Sequence, residues 1–194
     1  MFSARRASVR SHQSVVLDAP EGRPLRLVVV SDTHSVIHPN TARLVKELSA
    51  DHLLHGGDIG DLQVLEELRR MAPLTAVRGN IDGQMTEVPE SIDIEVRGGS
   101  RVLLKILLMH IAVYGPKVRA EAWRLAQKYG SRMIVCGHSH VPFMGRDRGL
   151  VLFNPGSIGP RRGSLPITLG LLEVGPVGIN LRHVSCETGE TWRP

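Results

Sequence analysis

The chain is poor in aromatic residues, with three Phe, two Tyr and two Trp among 194 residues. A platform that stacks the bases of a single-stranded nucleic acid needs several aromatic faces along a basic groove, and none is visible. Cysteine is scarcer still. Cys136 and Cys186 have no partner at the short spacing of a metal or redox motif, and two thiols make no disulfide framework. They read as reduced, structural residues. No apolar run approaches the roughly 20 residues that cross a bilayer. The opening stretch MFSARRASVRSHQS also lacks the apolar core of a secretory signal. The expectation is a cytoplasmic protein without membrane attachment.

A strong excess of one charge is missing too, once the charges are placed. The formal charge is +5, yet in residues 1–26 Arg5, Arg6, Arg10, Arg23 and Arg26 face only Asp18 and Glu21, so that stretch carries most of it. The remainder is close to neutral, which argues against extensive nucleic-acid binding. Nothing in the sequence fixes the assembly, and a homo-oligomer stays open.

What is present is enough for a core. A hydrophobic content of 42% over this length suits one globular domain, placed at residues 25–194. Residues 1–24, rich in Arg, Ser and Pro without periodicity, are expected to form a flexible basic extension. LRLVVVSD (25–32) is an apolar run with β-branched residues, the pattern of a buried strand. TARLVKELS (41–49) has helical spacing, DHLLHGGD (51–58) is a short strand, and DLQVLEELRRM (61–71) is a helix with Asp61 as its N-cap. LTAVRGN (74–80) is another strand. SIDIEV and RVLLKILLMH flank a Gly-Gly hairpin signal, and KVRAEAWRLAQKYG (117–130) is a helix closed by Gly130. Strands are expected at 132–136, 149–153, 165–174 and 177–184. Strand–helix alternation followed by strand pairing predicts an α/β fold of mixed sheets with helices outside.

Polar residues appear where these apolar runs stop. Asp32 and His34 follow the first strand, Asp58 follows LLHGG, and Asn80 follows AVRG. His110 follows LLKILLM, and His138 and His140 follow MIVCG. Each fragment alone has a plainer reading: a helix cap in SDTH, turns in GGD and GN, a satisfied core histidine at 110. Together they put two Asp, one Asn and four His just past strand carboxyl ends, where open α/β sheets bind ligands. Burying so many polar groups without a purpose would cost several kcal/mol. A metal site is the expectation.

The ordered series Asp32-Thr33-His34, Gly57-Asp58, Gly79-Asn80, His110 and Gly137-His138-Ser139-His140 resembles the calcineurin-like metallophosphoesterases. FNPGSIGPRR (153–162) is similar to the N-P-G-S segment of that family's small bacterial and archaeal phosphodiesterases, which share a fold with the retromer complex's phosphoesterase-like subunit. The resemblance runs from about residue 25 to 185. It implies a four-layer α/β/β/α sandwich of two mixed sheets flanked by helices. It further implies that Asp32, His34 and His140 hold one metal ion, that Asn80, His110 and His138 hold another, and that Asp58 bridges them. Asp58, Asn80 and His110 then stand at the chemistry, and a metal-bridging hydroxide attacks a small phosphodiester. Four imidazoles with three oxygen donors favour two divalent transition-metal ions, Mn first and Fe, Zn, Co or Ni as alternatives, over Mg or Ca.

The resemblance has gaps. Many relatives carry G-N-H-D or G-N-H-E, whose histidine protonates the leaving oxygen, and here Ile81 stands in that place with Asp82 after it. The small diesterase group commonly lacks this histidine as well. Ala112 stands where relatives often have a second histidine beside the substrate. Substitute acids are His38, His55 and Tyr114, with His55 expected to bond backbone instead. Arg161 or Arg162 would meet a substrate phosphate, and Asn154 would contact or support the site. If the fold no longer turns over substrate, a protein-interaction scaffold is the alternative.

Overall fold

The computed structural model describes residues 11–193. In chain order the elements begin with β1 (His12–Asp18), β2 (Leu25–Val30), α1 (Thr41–Glu47), β3 (His52–His55), α2 (Leu62–Met71) and β4 (Leu74–Ala76). Then come β5 (Ser91–Gly98), β6 (Arg101–Met109), β7 (Val113–Tyr114), β8 (Lys117–Val118), α3 (Ala120–Tyr129) and β9 (Met133–Val135). The chain closes with β10 (Phe143–Asp147), β11 (Leu150–Asn154), β12 (Thr168–Gly175), β13 (Gly178–Ser185) and β14 (Thr191–Trp192). One six-stranded sheet has the order β1-β5-β6-β9-β11-β10 and the other the order β14-β13-β12-β2-β3-β4. No helix among the described residues is long and apolar enough to cross a membrane.

Strand alternation builds the layers. Leu27 and Val29 of β2 face the other sheet, meeting Ile106 and Leu108 of β6 and Phe153 of β11. Val28 and Val30 turn the opposite way, onto Leu44 and Val45 of α1 and Leu65 and Leu68 of α2. Leu107 and Met109 pack outward against Ala122 and Ala126 of α3. Because side chains of a strand alternate with period two, a fully apolar strand is the signature of burial on both faces. The result is the expected four layers: two helices, a sheet, a second sheet, and a helix.

Both sheets contain a run of parallel strands: β2, β3 and β4, ending at the edge of one, and β6, β9 and β11 inside the other. Parallel strands end on the same rim, so the segments after β2, β3, β4, β6 and β9 converge. That convergence positions the candidate site. The helix signals hold in detail. Asp61 accepts the Gln63 backbone N–H at 3.0 Å as N-cap of α2, and Gly130 ends α3 in the left-handed region at φ 69°.

The structure differs from the sequence expectation in three places. Residues 12–18, expected within a flexible extension, form β1, which pairs in parallel with β5 along its whole length. Val15 and Leu17 pack on the inter-sheet core, and the His12 ring stacks on Tyr129 at 4.1 Å and meets Asp93 at 2.8 Å. The Arg- and Ser-rich composition hides that period-two pattern. The part of this expectation that falls on residues 1–10 lies outside the described residues. The helix expected from 117 begins at Ala120, since Lys117 and Val118 pair with β7. β10, an antiparallel edge strand on β11, was not expected at all.

Among the described residues, Phe153 is the largest fully buried side chain. Its ring lies over Gly170 of β12, where a Cβ would run into it, and stacks on His183 at 4.8 Å. Phe153→Ala is expected to cost about 3–5 kcal/mol, the usual range for emptying such a site. Urea denaturation checks this, and a loss under about 1 kcal/mol would show that the two sheets repack around the gap.

Candidate metal centre

The rim loops approach each other at backbone distance. Asp32 N–H donates to Gly57 O at 2.9 Å, His34 N–H to Asp58 O at 3.0 Å, and Gly137 N–H to His110 O at 3.1 Å. Two glycines are required by this closeness. A Cβ on Gly79 would collide with the Asp58 backbone and carboxylate, and one on Gly137 with the Ser31 hydroxyl and the Asp32 carboxylate. The Gly preceding Asn80 and the Gly preceding His138 are therefore steric necessities of the convergence.

The donors themselves sit on strained backbone. Asp32 (φ 55°), His34 (44°), Asp58 (54°), His138 (73°) and His140 (59°) all adopt left-handed conformations. Such residues cost about 1–3 kcal/mol each and persist only when the surroundings over-determine them. Here Asp82 is one of the restraints. It is buried, and its carboxylate accepts the backbone N–H groups of Gly79 at 2.7 Å and of Ile59 and Gly60 at 3.0 Å, locking the loops after β3 and β4 together.

All seven expected donors meet at this rim. Asp32, His34 and His140 form one group and Asp58, His110 and His138 a second, with the ligand atoms of each within 4.8 Å of one another. In the first group, His34 Nε2 and His140 Nε2 are 3.2 Å apart, and His140 Nε2 is 3.4 Å from Asp32 Oδ1. In the second, Asp58 Oδ1 is 3.2 Å from His110 Nε2. Asn80 Oδ1 joins it, 3.1 Å from His110 Nε2 and 2.9 Å from His138 Nδ1. The other oxygen of Asp58, Oδ2, lies 3.7 Å from His34 Nε2, so this carboxylate faces both groups. His110 Nδ1 donates to Gly56 O at 2.7 Å, which turns Nε2 toward the centre.

The electrostatics ask for a cation. Burial pushes the Asp32 carboxyl up to about 6. Burial also works to raise Asp58, but its hydrogen bond with His110 and the charge on that ring outweigh it and hold the group at about 2. Burial, helped by the Arg162 charge, pushes His140 down to about 4. Burial likewise lowers His34 and His138. Three imidazoles are thus neutral at pH 7, the form that ligates metal. His140 Nδ1 is buried with no hydrogen-bond partner. Neutral imidazole lone pairs crowded against a buried carboxylate fit divalent ions well.

The remaining expectations fall elsewhere. Arg161 is turned away, with Nη2 2.6 Å from Glu187 and Nη1 donating to Leu165 O, so it is Arg162 that reaches the centre. Asn154 is fully buried; its amide donates to Gly137 O at 2.7 Å and to Ser139 Oγ at 3.1 Å, bracing the 137–140 turn and leaving no face for substrate. His55 is buried, accepting the Gly57 N–H at Nδ1 and meeting Thr33 Oγ1 at Nε2. His38 accepts the Asn40 N–H, and Tyr114 is 84% exposed on the small hairpin. The Ile81 side chain faces solvent and Ala112 is buried. The loop-locking role of Asp82 had no signal in the sequence. A cavity of about 220 Å³ opens beside Asn80 and His110, walled in part by Arg78, Ile111 and Arg119.

Residues 25–175 match the model of the calcineurin-like phosphoesterase superfamily domain. The chain is similar to a probable metallophosphoesterase of Methanocaldococcus jannaschii, 30% identical over 142 residues that span 70% of this chain and 69% of the relative. It is similar to the phosphodiesterase YfcE of Escherichia coli K12, 26% identical over 168 residues, 77% of this chain and 88% of the relative. In fold it is similar to Vacuolar Protein Sorting 29 of Cryptosporidium parvum, with a TM-score of 0.69 at 17% identity, covering 88% of this chain and 95% of that one.

A carboxyl held above its ordinary value keeps its proton longer in the folded state than in the unfolded one. For Asp32, rising pH therefore costs the metal-free fold stability between the ordinary 3.8 and about 6, and above that the cost is complete. Asp32→Asn is accordingly expected to leave the metal-free protein at least as stable as the parent at pH 7. It should also reduce the stabilisation by Mn²⁺ to that of the second group alone, losing the about 2.7 kcal/mol that one site contributes at a hundredfold excess over its Kd. Thermal unfolding of both proteins with and without Mn²⁺ checks this. A destabilised metal-free variant, or one that Mn²⁺ protects as fully as the parent, contradicts it.

Proposed function

The chain belongs to the calcineurin-like phosphoesterase superfamily, and on that premise we propose that it is a metal-dependent phosphodiesterase acting on small substrates. The observation that carries this is the pair of donor groups, each within 4.8 Å and both faced by Asp58. Asp32, His34 and His140 would hold one divalent ion, Asn80, His110 and His138 a second, with Asp58 between them. Ions held there supply an activated water at neutral pH and offset the charge that grows on the phosphoryl oxygens. Four imidazoles with three oxygen donors favour a divalent transition-metal ion, Mn, Fe, Zn, Co or Ni, over Mg or Ca.

The chain's own residues set what the site does well. Gly56 O keeps the His110 tautomer fixed, Asn154 holds the turn that presents His138 and His140, and Asp82 holds the loop that presents Asn80. No side chain offers the leaving oxygen a proton from the usual places: Ile81 points to solvent, Ala112 has none to give, and Asp82 is committed to three backbone N–H groups. A general acid typically contributes 10²–10⁴-fold. Its absence selects acidic leaving groups and makes alkyl monoesters poor substrates. The cavity beside His110 suits a small leaving group, and the shortage of aromatics disfavours polynucleotides.

The missing acid also supports a second reading, a catalytically idle scaffold, in keeping with the likeness in fold to Vacuolar Protein Sorting 29. Hydrolysis of bis-p-nitrophenyl phosphate and p-nitrophenyl phosphate by metal-stripped protein, with Mn²⁺ titrated back, separates the two. Diester cleavage is expected to appear with Mn²⁺, to exceed monoester cleavage, and to fall at least about 100-fold in Asp58→Asn. Binding of Mn²⁺ with neither ester cleaved would establish the scaffold.

A further inference from the structure

Arg162 differs from the other cationic side chains in what it touches. Arg161 is committed to Glu187, Arg78 to Glu90, Arg97 to Glu95 and Arg23 to Asp51. No carboxylate pairs with Arg162 among the described residues. Its Nη2 lies instead 3.0 Å from His34 Nε2, the nitrogen that also faces His140 and Asp58. A guanidinium carries five N–H donors and no acceptor, and it does not lose its proton. The contact therefore runs from Arg162 to a lone pair on His34, which puts the His34 proton on Nδ1 and leaves Nε2 in its ligating form.

The root of this side chain is fixed, and its tip is held by His34. Ser157 Oγ donates to Asp32 O at 2.9 Å, and Gly159 packs so closely on the Asp32 and Thr33 backbone that a Cβ there would collide with it. Arg162 follows three residues later, exposed, before Gly163 at φ 55° with open space around it. The charge is felt at the partly exposed His34 and His138 and at the buried His140. One lone pair cannot both accept a hydrogen bond and bind an ion.

We propose that Arg162 is the phosphate-gripping residue of this centre. In the metal-free protein it holds His34 ready; when a divalent ion takes His34 Nε2, the guanidinium is released and donates to a non-bridging oxygen of the substrate phosphoryl group. The assignment rests on the phosphodiesterase reading and deepens it, because an arginine fork selects an anionic oxygen pair that a lysine grips less well.

The test compares the parent with Arg162→Met and Arg162→Lys. Mn²⁺ affinity is measured by competition with a chelating dye, and binding of inorganic phosphate to the Mn²⁺-loaded proteins by calorimetry. Arg162→Met is expected to bind Mn²⁺ at least as tightly as the parent and to bind phosphate about tenfold more weakly. Arg162→Lys should recover part of the phosphate affinity. For bis-p-nitrophenyl phosphate, KM should rise more than kcat falls. Unchanged phosphate affinity in Arg162→Met overturns the proposal, as does no phosphate binding by the loaded parent, or Mn²⁺ affinity that drops with the arginine. A loaded parent that binds phosphate but cleaves no diester overturns the phosphodiesterase reading alone, with the role of Arg162 still decided by the phosphate affinities.

Discussion

Two carboxylates, Asp32 and Asp58, lie almost entirely out of water with four imidazoles around them, and the architecture of the rim follows from that arrangement. Desolvating a carboxylate is costly unless a cation or hydrogen bonds compensate. Asp58 finds compensation within the chain, from His110 and the Ile81 N–H. Asp32 finds less, accepting the His138 N–H at 3.1 Å on each oxygen, and it stays well above its ordinary pKa. The asymmetry gives a bound divalent ion something to correct, so metal binding and folding act on the same group.

Holding these groups together takes a stiff frame. Five donors adopt left-handed backbone that they would leave if free to do so. The frame is two apolar sheets pressed face to face, whose parallel strands bring the segments after β2, β3, β4, β6 and β9 to one rim. Strain at the rim is thereby sustained by packing below it. The loops are then tied laterally by groups that touch no substrate: Asp82 across the turns after β3 and β4, Asn154 beneath the 137–140 turn, and His183, whose Nε2 meets the Asn154 carbonyl at 2.8 Å. Catalytic geometry here is a property of backbone contacts as much as of the donors.

This division explains what the sequence makes legible. The donors are readable because each one follows an apolar strand directly, and Gly57, Gly79 and Gly137 mark where backbones cross. The inner strands are readable because two-sided burial leaves a nearly continuous apolar run, as in β2, where Arg26 alone interrupts it. β1 is not, because only Val15 and Leu17 reach the core while its exposed residues carry the composition of a tail. Asp82 stands in the sequence only as the residue after Ile81, because two of its three partners, the Ile59 and Gly60 N–H groups, lie over twenty residues earlier in the chain. Arg161 and Arg162 are equivalent as text. What separates them is Glu187, brought beside Arg161 only by the folded chain. Local pattern specifies which chemistry is present, and long-range contacts decide which side chain of a pair delivers it.

The central claim is that seven side chains form two cation sites sharing one carboxylate. Metal content per chain tests it most directly: elemental analysis of protein dialysed against Mn²⁺, for the parent, His140→Ala, His138→Ala and Asp58→Asn. The account predicts two ions bound by the parent, one by each histidine variant, and fewer than two by Asp58→Asn. One ion in the parent, or two retained when either histidine is removed, would contradict it.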